Sequence, residues 1–66
     1  MNIKELQKLR IKLGLHQQDI AKKLNCGADT IDYYEQGLLP ATERTLQLYN
    51  DFLVEVAKRK GIRPCQ

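Results

Sequence analysis

Residues 16–37 read HQQDIAKKLNCGADTIDYYEQG, and the fold turns on how this stretch divides. Ile20, Ala21 and Leu24 recur at the spacing of one helical face, and Ile31, Tyr34 and Glu35 repeat the pattern after an interruption at Asn25-Cys26-Gly27. Gly27 is an acceptable N-cap for the second segment and Gly37 a natural stop for it. The spacing predicts one helix from about Gln17 to Leu24 and another from about Ala28 to Gln36. Neither is long enough to persist in water by itself, since an isolated helix needs roughly 12–15 residues. Two short helices joined by a few residues form a helix-turn-helix unit, and they require partners on both sides.

The flanks supply those partners. Asn2 followed three residues later by Glu5 makes a capping box, after which Ile3, Leu6, Leu9, Arg10 and Leu13 recur at helical spacing until Gly14, so a helix is expected over roughly residues 3–13. Downstream, Pro40 in "LLPA" forbids continuity with the preceding helix. Thr42 then caps a segment with Leu46, Tyr49, Leu53 and Val56 on one stripe and Leu48 and Phe52 beside it. No Gly or Pro stands between Ala41 and Gly61, so this helix is expected to run to about Lys60. No strand-forming run competes. The expectation is an all-α chain, a small four- to five-helix bundle with a long C-terminal helix, comprising a domain over 1–60 and a flexible basic tail over 61–66.

With 66 residues the chain is near the lower limit for a core that folds without disulfides or metal. It has two cysteines, Cys26 and Cys65, no CxxC pair, and His16 as its only histidine. Zinc and disulfide chemistry are therefore not expected, and a reducing cytoplasm is. Cys26, in the turn, is expected to be a buried small hydrophobe, and Cys65 a free thiol in the tail. His16 is placed to cap the helix that follows it. One histidine without a partner, no Gly-rich phosphate loop and no nucleophile–base set argue against an enzyme, and no cofactor or small-molecule ligand is expected. The opening "MNIKELQKLR" holds no continuous apolar run, so neither a signal peptide nor a membrane span is expected.

Charge is unevenly placed. Residues 1–24 carry six basic side chains (Lys4, Lys8, Arg10, Lys12, Lys22, Lys23) against two acids; residues 25–41 carry Asp29, Asp32 and Glu35 alone; residues 42–66 carry five bases and three acids. The net charge of +3 thus divides into basic flanks around an acidic centre.

Leu9-Arg10, Gly14-Leu15-His16-Gln17, Ile20-Ala21, Leu24, Thr30-Ile31, Tyr34-Glu35, Gly37 and Thr45-Leu46 stand at spacings that resemble the Cro/CI-type, XRE-like helix-turn-helix repressors, without a gap and over roughly residues 3–56. The resemblance implies a lambda-repressor-like DNA-binding domain and a sequence-specific regulator, a repressor occupying a double-stranded operator as a homodimer. It implies that Arg10 and Glu35 pair in the interior, which removes Glu35 from the DNA-facing charge. It implies that Gln17 bonds a backbone phosphate, with Gln18, Lys22, Lys23 and Arg44 as further candidates for the same rail. Ala28, Asp29, Thr30, Asp32 and Tyr33 fall where the resemblance puts groove-facing residues. There a carboxylate can accept from a cytosine amino group, and Tyr33 can press on a thymine methyl or reach a phosphate. Asp29 is also favoured by the dipole of the first helical turn.

"DTIDYYEQGLLP" is similar to the MerR-type signature as well. Asp32 stands where that signature has Arg, however, and one residue fewer separates Glu35 from Gly37. MerR-type domains place a β-hairpin wing after the unit, whereas a helix is expected here. The acidic centre also supports a different class, a helix-turn-helix protein-interaction module of antirepressor or antitoxin-like kind, whose third helix meets a basic protein surface. Leu48, Phe52 and the "VEVAKRK" extension are the candidates for a dimer contact.

Overall fold

The computed structural model describes residues 2–61. Four helices follow in order: α1 Ile3–Lys12, α2 Gln17–Leu24, α3 Ala28–Gln36 and α4 Glu43–Lys60. The starts are set by short polar side chains. Asn2 Oδ1 accepts from the Glu5 N–H at 3.0 Å, and Thr42 Oγ1 accepts from the Thr45 N–H at 3.2 Å, satisfying donors that a helix leaves orphaned. At α2 the His16 N–H donates to the Asp19 carboxylate at 2.8 Å. Of the basic tail expected over 61–66, Gly61 caps the end of α4 and residues 62–66, including Cys65, lie outside the described residues.

The first three helices end by one device. Gly14, Asn25 and Gly37 take left-handed backbone conformations, with φ of 75, 59 and 80°. The N–H of the next residue then reaches back over the last turn: Leu15 to the Arg10 carbonyl, Cys26 to Ala21, and Leu38 to Tyr33, at 3.1, 2.9 and 2.9 Å. These are Schellman closures, which satisfy terminal carbonyls and reverse the chain within two residues. The second explains why Cys26 is exposed and not buried as its small apolar character suggested. Its backbone N–H points into the helix end, and the left-handed Asn25 turns the thiol toward solvent.

α1 ends one residue before Leu13, which becomes its C-cap and still buries its side chain. The core gathers Leu6 and Leu13 from α1 and its end, Ile20 and Ala21 from α2, Ile31 from α3, and Tyr49, Leu53, Val56 and Ala57 from α4. α4 is the longest element, 18 residues or roughly 27 Å at 1.5 Å per residue. It packs on α1 and α2, while α2 and α3 pack on each other as the helix-turn-helix pair. Leu53 is fully enclosed; cutting such a side chain to Ala typically costs about 2–5 kcal/mol, a large share of the stability of so small a domain.

Candidate nucleic-acid interface

The interface is built outward from a buried charge. Glu35 on α3 has no solvent exposure, and Arg10 on α1 has 8 %. Arg10 Nε donates to Glu35 Oε2 at 2.9 Å and Nη2 to Oε1 at 3.0 Å, a two-pronged pair. Tyr49 from α4 donates its hydroxyl to Oε2 at 2.5 Å, and Gln17 Nε2 from α2 donates to Oε1 at 3.0 Å. All four acceptor positions of the carboxylate are thereby filled. Arg10 Nη1 also donates to the Leu15 carbonyl at 2.9 Å. Among the described residues no buried side-chain polar atom lacks a partner. One carboxylate therefore ties together all four helices.

The titration behaviour follows. Burial pushes the Tyr49 hydroxyl far above its ordinary value, and the hydrogen bond and charge of Glu35 push it the same way. Burial pulls the Arg10 guanidinium down, but its hydrogen bonds to Glu35 and the carboxylate's charge outweigh this and hold it above its usual range.

Gln17 carries the network to the surface. Its Nε2 also donates to Asp32 Oδ1 at 3.0 Å, and Asp32 Oδ2 accepts from Gln36 Nε2 at 2.6 Å. A primary amide has two protons, and both of Gln17's are committed inside the protein. The side chain that the resemblance marks for a phosphate is thus, in this state, the clamp between the start of α2 and the outer half of α3. Asp32, expected on the outward face, is only partly exposed and holds two amides.

The remaining exposed residues of α3, Asp29, Tyr33 and Gln36, stand at i, i+4 and i+7 and form one ridge. Ala28 and Thr30 are half-buried beside it. Gln36 escaped the sequence reading, although its i,i+4 spacing from Asp32 is the ordinary spacing for an amide–carboxylate pair on a helix. Gln18 is exposed at the start of α2, and Arg44 is exposed in the first turn of α4, beside Glu43, Leu46 and Gln47. Lys22 and Lys23 are exposed on another part of α2. They border a groove between α2 and the end of α4, with Arg59 and Lys60 and with no residue of α3. Lys23 Nζ lies 5.9 Å from the centre of the Phe52 ring.

A helix-turn-helix family model matches residues 6–53, which include the whole of α2, the turn, α3 and the core half of α4. The chain belongs to the Cro/CI-type helix-turn-helix family. This helix-turn-helix protein accordingly has the domain of a DNA-binding regulator, a regulatory family that is not typically enzymatic. Among its described residues no strand forms, so the MerR-like wing has no counterpart there. None of its described helices is long and apolar enough to cross a membrane. Neither the curated proteins nor the solved structures yield a match to it.

Proposed function

We propose that the chain is a sequence-specific repressor that lays the Asp29–Tyr33–Gln36 ridge of α3 in the major groove of a double-stranded operator. The observation that carries this reading is the division of α3. Ile31 and Glu35 lock one side into the bundle, and the other side presents a continuous polar ridge beside the exposed start of α2. The first-turn N–H groups of α2, with Gln18, offer a phosphate the donors and the positive dipole end that an anion requires. Gln17 is the clamp that sets this turn against α3. Arg44 supplies a further phosphate contact.

An acidic ridge grips a polyanion weakly, which favours discrimination over non-specific affinity. Asp29 accepts from a cytosine amino group, Gln36 pairs with adenine once it lets go of Asp32, and Tyr33, 47 % exposed, meets a thymine methyl or a phosphate. Operators of this family type have two half-sites about one helical turn apart, matching a symmetric dimer. Leu38, Leu39 and Leu48 are exposed apolar residues available to a second subunit, whereas Phe52 lies under Lys23 and faces the α2/α4 groove.

Selection from a random duplex pool at low and at physiological salt tests this reading. An enriched palindrome is expected, with Asp29→Ala and Gln36→Ala shifting which bases are preferred. A uniform change in affinity with no change of preference would exclude readout by these two side chains. The lack of any cation on α3 favours a second reading, in which this helix meets a basic protein. In an NMR titration that reading predicts that a duplex leaves residues 28–36 unmoved.

A further inference from the structure

The α2/α4 groove lies away from the α3 ridge, and its chemistry is of two kinds. Its floor is apolar, made by Leu15, Phe52 and Val56, and its volume is about 580 Å³. Its rim is cationic, with Lys22 and Lys23 on one side and Arg59 and Lys60 on the other. The one acid at the edge, Asp19, already accepts from the His16 N–H at 2.8 Å. Arg59 is paired with Glu55 at 3.0 Å, but both side chains are largely exposed, and such pairs exchange partners at little cost. The rim therefore concentrates positive charge around a hydrophobic trough, opposite in character to the acidic ridge of α3.

We propose that this groove docks an acidic amphipathic helix of a partner protein. The charge calls for carboxylates on both flanks of the ligand, and the floor calls for an apolar stripe between them. The length fits as well: Phe52 to Lys60 is nine residues of α4, whose eight rises span roughly 12 Å or two helical turns, which accommodates apolar anchors at i, i+3 or i+4, and i+7. A phosphate rail explains the cations but leaves the trough unfilled, because backbone contacts to nucleic acid are polar. The groove shares no lining residue with α3, so a partner helix seated in it leaves the Asp29–Tyr33–Gln36 ridge uncovered.

The test is an NMR titration of the isotope-labelled full chain with a synthetic peptide of twelve residues, about three helical turns. It bears Leu at i, i+3 and i+7 and Glu on both flanks. A scrambled peptide of the same composition and a version with Lys for Glu are the controls. Amide shifts confined to the surroundings of Leu15, Lys22, Lys23, Phe52 and Lys60 are expected, with at least about tenfold weaker binding of the scrambled peptide, a loss of about 1.4 kcal/mol. Lys22→Glu/Lys23→Glu, two exposed changes that leave the core intact, reverses the preference to the Lys peptide. Equal binding of both sequences, no binding at millimolar peptide, or shifts centred on α3 overturn the proposal. So do groove shifts that appear on adding duplex alone, on raising the protein's own concentration, or on removing 62–66, because each identifies a different occupant.

Discussion

Glu35→Ala is the most informative single change. It deletes a fully buried carboxylate that accepts four hydrogen bonds, and it strands Arg10, 8 % exposed, with only its bond to the Leu15 carbonyl. Breaking a buried pair by removing one partner costs about 3–5 kcal/mol. The Tyr49 hydroxyl, on a side chain with no exposure, loses its acceptor and adds about 1–3 kcal/mol. A chain of this size holds roughly 3–10 kcal/mol in all, at about 0.05–0.15 kcal/mol per residue. The variant is therefore expected to be largely unfolded at room temperature. Replacing both partners, Arg10→Met with Glu35→Met, removes the buried charges together and is expected to recover at least about 2 kcal/mol over Glu35→Ala. Urea unfolding followed by far-ultraviolet circular dichroism reads both values. A Glu35→Ala protein within about 1 kcal/mol of the parent, the usual cost of an ordinary substitution, would refute the reasoning. A double variant no more stable than the single one would refute it equally.

Three further predictions rest on the same geometry. Because Tyr49 is pushed above its ordinary value of 10.0, the folded state holds its proton more tightly than the unfolded chain does. Its contribution is complete below pH 10 and is lost as pH rises above it; stability measured across the alkaline range should fall in the parent and fall less steeply in Tyr49→Phe. Gly37→Ala forces a Cβ into a backbone with φ of 80° and is expected to lower stability by about 1–2 kcal/mol by denaturant unfolding, although the space around that Cβ is open. Cys26, solvent-exposed at the corner after α2, should react with a thiol reagent in the folded protein at close to the rate of a free thiol, with helicity retained. Peptide mapping separates it from Cys65, and protection of Cys26 would show that the Asn25 turn is wrong.

The sequence alone determined the local structure. Capping residues at Asn2 and Thr42, breaks at Gly14, Asn25–Gly27 and Gly37–Pro40, and apolar spacing between them decide where four helices begin and end, because each signal acts within one or two turns. The same local rules missed Cys26: they see a small apolar residue, and the direction in which a left-handed turn throws its side chain depends on where the next helix must go. What only the tertiary structure decided is which polar groups find one another. Gln17 lies 15 positions from Asp32 and 18 from Glu35, and Lys22 and Lys23 stand well over 30 positions before Arg59 and Lys60. No periodicity encodes those meetings. They arise when α2 is wedged between α3 and α4, which turns Gln17 inward to the carboxylates and the two lysines outward to the far end of α4. The division of labour between an acidic reading ridge and a basic, apolar-floored groove is a consequence of that wedge.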